Sequence, residues 1–260
     1  MRFDIMTVFP DLVETVLGES IMGRAQKNGF IEVHAHNIRD YTTNKHRKTD
    51  DTPYGGGAGM LMTPQPIYDC FKAVEAQIPE ENSRRVIYMS PRGRVLNHTI
   101  AEELSSYDNL ILLCGHYEGV DQRILDLIVD EEISIGDYVL TGGEIPACIL
   151  VDCVSRLKEG VLAAEECYEN ESIASGLLEY PQYTRPPVFM GLEVPEILLS
   201  GDHAKVDAWR LAEAKELTRK MRPDLYAAYM EAHPEPPPKP KRTRRKKEAV
   251  DEKEAVDEPS

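Results

Sequence analysis

The sequence predicts an α/β fold built on a parallel sheet. Three observations carry that expectation. Apolar, β-branched runs alternate with segments of helical period as far as residue 161, the pattern of a parallel sheet with helices on both faces. Three of those runs each give way to a loop rich in glycine or proline. Beyond residue 162 the alternation stops, and the chain becomes acidic, then proline-punctuated, then helical.

Arg2–Val8 alternates apolar and polar side chains and reads as a strand. Pro10 suits the first turn of a helix through Leu17, where its missing N–H costs nothing. Phe30–His34 reads as a second strand. Arg39–Asp51 is polar and carries Lys45, His46, Arg47 and Lys48; a solvated loop is the ordinary meaning of such a run, a phosphate-contacting patch the sharper one. Pro53–Met60 has glycine at four of five consecutive positions, too many for a helix or strand interior. It lacks the Gly-Lys-Ser/Thr ending of a P-loop, and either binds something closely or simply turns.

Pro64–Gln77 is helical in pattern. The strand Arg84–Met89 ends in Ser90-Pro91-Arg92-Gly93 and is followed by a helix, Thr99–Leu104. The strand Asn109–Cys114 ends in Gly115-His116-Tyr117-Glu118-Gly119 and is followed by a helix, Val120–Val129. Glu132–Leu140 reads as the last strand and ends on Thr141-Gly142-Gly143. Pro146 opens a helix to Val161 with an apolar stripe of Ile149, Leu150, Cys153, Val154 and Leu157, and Arg156 lies off it. Residues 163–175 form an acidic linker. Gly176–Pro195 is extended by its prolines. Asp202 caps a helix His203–Arg222, and a short helix follows through Met230. The division is therefore 1–162, a linker 163–175, a smaller C-terminal unit 176–232 and a charged tail 233–260, whose composition predicts disorder.

Five cysteines, with no Cys-x-x-Cys pair, argue against a disulfide framework or a cysteine-rich zinc site and for buried reduced thiols. No signal peptide is visible, and the apolar runs are too short to span a bilayer. A soluble cytoplasmic protein is expected. The net charge of −15 conceals an uneven chain: residues 1–238 hold 22 Lys/Arg against 39 Asp/Glu. An acidic body repels nucleic acid, so RNA binding would have to rest on local basic patches.

In open α/β sheets ligands bind beyond the carboxyl ends of the strands. The three special loops would converge there. Around Ile133–Pro146 the side chains are apolar, and Gly142-Gly143 lets backbone or ligand approach closely. Such a pocket suits a flat heterocycle better than a triphosphate. A tight turn without a ligand stays open as the plainer reading of this stretch alone. No Gly-x-Gly-x-x-Gly joins a strand to a helix, which weakens a dinucleotide reading.

Several segments, in order, carry a family resemblance: Pro53–Met62, Tyr88–Pro91, Cys114–Asp121, Ser134–Pro146, Tyr183–Pro186, and Leu199–His203 with Trp209-Arg210. Over about residues 1–230 the chain resembles the bacterial tRNA (guanine-N1)-methyltransferases, knotted methyltransferases of the SPOUT class. The resemblance implies a deep trefoil knot forming the cofactor site, a smaller mainly helical C-terminal domain, and S-adenosylmethionine as methyl donor. It implies a tRNA guanine just 3′ of the anticodon, position 37, as acceptor, and a homodimer with a composite active site. It also brings in magnesium as a divalent ion that could take part. The cofactor loops match at Tyr88, Ser90, Pro91, Gly115, Tyr117, Glu118, Gly119, Ile135, Gly136, Asp137, Tyr138, Val139, Leu140, Gly142, Gly143 and Pro146. Glu118 could answer the donor's positive charge or merely cap the following helix, and His116 has no compelling role.

The chemistry demands a base. Guanine N1 carries a proton in the neutral ring, so a general base must remove it, and charge then develops toward O6, where a cation would stabilise it. Alignment of nitrogen, methyl and sulfur supplies the rest. The family's aspartate is replaced here by Glu171, one methylene longer, and the family's arginine matches Arg156. For tRNA the candidates are Lys45, Arg47, Arg185, His203 and Arg210, with the target base extruded. A ribose-directed methylase and an RNA-binding protein without turnover are the rival readings.

Overall fold

The computed structural model describes residues 1–162 and 172–234. It contains β1 (Arg2–Thr7), α1 (Pro10–Leu17), α2 (Ser20–Lys27), β2 (Glu32–Asn37) and a short pair, β3 (Asp50–Asp51) with β4 (Leu61–Met62). Next come α3 (Pro64–Glu75), β5 (Arg84–Val95), α4 (His98–Ser105), β6 (Asn109–Cys114), α5 (Gln122–Ile128), β7 (Glu131–Ser134) and α6 (Glu144–Ser155). After residue 172 come a hairpin, β8 (Val188–Phe189) and β9 (Leu192–Glu193), then α7 (Glu196–Leu199), α8 (His203–Met221) and α9 (Pro223–Ala232).

Five strands form one sheet in the order β2-β1-β6-β5-β7, and every pairing in it is parallel. The central strand β6, Asn-Leu-Ile-Leu-Leu-Cys, is buried at all six positions, which is why it reads as an unbroken apolar run. Successive side chains leave a strand on opposite faces, and the core divides accordingly. Phe3, Ile5, Ile87, Leu110 and Leu112 pack on one face with Val13, Ile100, Leu104, Leu150 and Val154 of α1, α4 and α6. Met6, Val86, Tyr88, Ile111 and Leu113 pack on the other with Ile67, Val74, Ile124 and Ile128 of α3 and α5.

β5 is interrupted. Met89 and Arg94 both register with Ile133 of β7, so Ser90–Gly93 bulge out before pairing resumes through Val95. Bulges recur beside functional sites because they re-aim the chain without ending the sheet.

Several boundaries differ from expectation. The second strand lies at Glu32–Asn37, and α2 had no counterpart in the sequence reading. The run Glu132–Leu140 stays in the sheet only to Ser134. Gly136 then takes φ +140°, and Tyr138, Val139 and Leu140 emerge exposed. α6 starts at Glu144, placing Pro146 inside its first turn, and stops at Ser155. Its buried face comprises Ala147, Cys148, Leu150, Val151 and Val154, while Ile149 and Cys153 are exposed. The 176–195 stretch is extended apart from the hairpin, whose turn has Met190 and Gly191 at positive φ. Asp202 caps α8 as expected, its Oδ1 accepting from Lys205 N–H at 3.3 Å. The calls on residues 163–171 and on the tail from residue 235 lie outside the described residues.

Candidate active site

The ends of β5, β6 and β7 meet at one edge of the sheet around a cleft with a cavity volume of about 210 Å3. β5 supplies its floor with Tyr88, Met89, Ser90 and Pro91, and the loop after β6 supplies Gly115 through Gly119. The chain leaving β7 supplies Ile133–Ile135 and then Tyr138–Gly143, with Pro146 from α6. All the residues expected to hold a cofactor therefore line one cleft, except Gly136 and Asp137. Those two form the corner that carries the chain out of the sheet, where the Ser134 hydroxyl accepts from Gly136 N–H and donates to its carbonyl, both at 3.1 Å.

The wall is built by a close crossing of backbones. Gly143 N–H donates to Gly115 O at 2.8 Å, and a Cβ on Gly143 would stand 2.8 Å from Cys114 Cα. His116 and Gly142 form an antiparallel bridge beside it. Tyr117, at φ +59°, projects from the rim, and its hydroxyl accepts from Arg39 at 3.2 Å. Arg39 thereby links the cleft mouth to the basic loop. Tyr88 is buried, which pushes its phenol above the usual range. Its hydroxyl keeps its proton at neutral pH and can donate into the cleft.

The glycine-rich segment Pro53–Met60 lies against the same loop. Glu118 N–H donates to Met60 O at 3.0 Å, Met62 N–H donates to Gly119 O at 2.9 Å, and the Glu118 side chain packs over Gly59, where no Cβ would fit. α5 is capped by Asp121, not Glu118: Asp121 Oδ1 accepts from Arg123 N–H at 3.0 Å. Glu118 is among the residues that line the cleft.

A family model described as tRNA (Guanine-1)-methyltransferase TrmD matches residues 1–228. The chain belongs to this family. A protein of Ruminiclostridium cellulolyticum is 58% identical over 226 residues, 87% of this chain and 96% of that protein. One of Clostridioides difficile is 57% identical over 226 residues, covering 87% and 97%. One of Geobacter sulfurreducens is 52% identical over 225 residues, covering 86% and 91%. Each is named tRNA (guanine-N(1)-)-methyltransferase.

Not every predicted residue is drawn to the cleft. Arg156 forms the C-cap of α6, and Glu171 lies outside the described residues. Lys45 and Arg47 sit on the exposed basic loop, where Arg47 pairs with Asp40 at 3.1 Å. Arg185 and His203 are exposed. Arg210 pairs with Asp207 at 3.2 Å and lies over the Tyr180 ring, 5.1 Å from its centroid. Bare positive charge is thus scarcer than the sequence suggests. Among the described residues no group of three or more His, Cys, Asp or Glu could hold a metal ion. Sequence reasoning missed Met89, His116, Ile133, Ser134 and Thr141 as lining residues. Met89, His116, Ser134 and Thr141 are direct neighbours of predicted residues and Ile133 lies two positions from Ile135, which was the available signal.

Proposed function

We propose that this chain transfers a methyl group from S-adenosylmethionine to N1 of the guanine at tRNA position 37. The observation that carries this is the coincidence of two facts. The family match spans residues 1–228, and the loops matched for the donor converge on one cleft at the carboxyl edge of the sheet. Its apolar wall of Ile135, Val139 and Leu140 with Tyr138 suits the adenine ring. Glu118 supplies negative charge for the sulfonium or the amino group, and the backbone of Gly115–Gly119 and Tyr138–Gly143 supplies donors and acceptors. The crossing of Gly142-Gly143 over the end of β6 supports placing a deep trefoil knot here.

In the reaction the donor supplies an electrophilic methyl group. Glu171 removes the proton from guanine N1, and the freed electron pair attacks the methyl carbon as the carbon–sulfur bond breaks. Arg156 faces the charge that grows on O6. The active site is completed in a homodimer. Phe9, Leu12, Val16, Ile145 and Ile149 support this: all are exposed, and the last four lie on α1 and α6, which pack together. The C-terminal helices α8 and α9 grip the tRNA, and the enzyme works in the cytoplasm.

Mass mapping of nucleosides after incubating the full chain with unmodified tRNA and donor tests this. A single methyl on that guanine base is expected. Glu171→Gln should lower the rate by about 100-fold or more, the usual contribution of a general base. A methyl on ribose, or none, would overturn the assignment.

A further inference from the structure

A polar cluster under the cleft takes no part in the chemistry above. Thr7, at the end of β1, and Glu144, at the start of α6, are 0% and 4% exposed. The Thr7 hydroxyl donates to Glu144 Oε1 at 2.8 Å and accepts from Phe9 N–H at 2.9 Å. The other carboxylate oxygen, Oε2, stands 4.0 Å from His116 Nδ1. That nitrogen is buried and has no hydrogen-bond partner among the described residues. The His116 ring lies against Phe9 and Tyr117, with centroids 4.9 and 5.0 Å away, and it lines the cleft. Gly142 closes the arrangement. A Cβ there would stand 2.3 Å from Glu144 Oε2 and 2.7 Å from His116 Nδ1.

Burying a carboxylate is costly unless it is paired. Here the first turn of α6 favours negative charge, and the Thr7 hydroxyl satisfies one oxygen. The second oxygen faces His116 at 4.0 Å, across the one residue small enough to let the two approach. The three side chains come from β1, from the loop after β6 and from α6, the elements between which the Gly142-Gly143 crossing runs. We propose that Glu144 is a positioning residue: with Thr7 and His116 it braces the Gly142-Gly143 wall and so sets the affinity for the methyl donor, without touching the reacting atoms. This rests on the donor reading of the cleft.

The test is calorimetric titration of the full chain with S-adenosylmethionine, joined to single-turnover methylation of unmodified tRNA. If the wild-type chain binds no donor, the reading of the cleft itself fails, and this proposal with it. Given wild-type binding, Glu144→Gln should weaken donor affinity about tenfold and leave the rate at saturating donor within about threefold. Thr7→Val should also weaken binding, and Thr7→Ser should restore it to within about twofold. The double variant Glu144→Gln with His116→Gln should bind only slightly less well than the weaker single variant, because both changes remove one contact. Unaltered affinity in Glu144→Gln, a lost rate with affinity intact, fully multiplicative effects, or no rescue by serine would each overturn the proposal. Should Glu144→Gln fail to fold, the Thr7→Val and Thr7→Ser pair decides alone.

Discussion

Asp4 shows how a single residue can tie the start of the sheet together. It sits in β1 with no exposed surface, held by Arg2 at 2.7 Å and by His36 of the neighbouring β2 at 2.8 Å. Burial alone would raise its carboxyl, but the hydrogen bonds from His36 and Arg2 outweigh that and keep it below the usual carboxylate range. A depressed carboxyl contributes stability above its unfolded value, about 3.9, and loses it as pH falls through the lower folded value. Asp4→Asn should therefore cost about 3 kcal/mol at pH 7, measured by urea unfolding, and the gap to wild type should shrink below about pH 4. The thiols follow the same logic in reverse. Burial pushes Cys70 up to about 12 and Cys148 to about 11, so both stay protonated and unreactive at neutral pH, as the cysteine pattern had suggested. The long-range polar contacts could not be read from the sequence: Thr7 and Glu144 are 137 positions apart, and no local period encodes such a meeting.

Among the elements, β6 and its neighbours were legible because a strand buried on both faces writes itself as an apolar run. The segment 135–140 was misread for the same reason. Its hydrophobic side chains line a cleft instead of a core, and composition cannot distinguish the two destinations. What decides is Gly136, whose positive φ takes the chain out of the sheet. The cleft's location at three strand ends was also legible, since each loop is marked by glycine or proline. The crossing that forms its wall was not, because it depends on the path of the chain. That crossing has a sharp consequence. Gly143→Ala would drive a methyl group to within 2.8 Å of Cys114 Cα, so backbone must shift. Donor affinity should fall at least 100-fold, on the order of the larger costs of overpacking a close-packed site, and calorimetry checks it.

At the scale of the whole molecule, charge is the open account. The body is acidic, yet its substrate is a polyanion. The residues proposed to meet it, Lys45, Arg47, Arg185, His203 and Arg210, are few, and two already pair with carboxylates. tRNA binding should therefore depend on salt only moderately. A plot of log affinity against log salt should have a slope of about −2 to −3.6, as for three to four phosphate contacts at roughly 0.7–0.9 each. Arg185→Ala should flatten it by about one of those contacts, read by filter binding over a salt series.

The bulge in β5 bears on traffic through the enzyme. Because pairing with β7 resumes at Arg94 and Val95, Ser90 and Pro91 are stapled on both sides and act as a fixed anvil. The arm from Tyr138 to Thr141 is held only at its ends, by β7 before it and by the Gly142–His116 bridge after it, and Val139 is 81% exposed. On the donor reading of the cleft, fresh donor enters and spent donor leaves beside that arm, as through a turnstile. Amide hydrogen exchange should be slow at Met89 and Val95 and fast at Val139 and Leu140; equal rates would mean the anvil gives way as well.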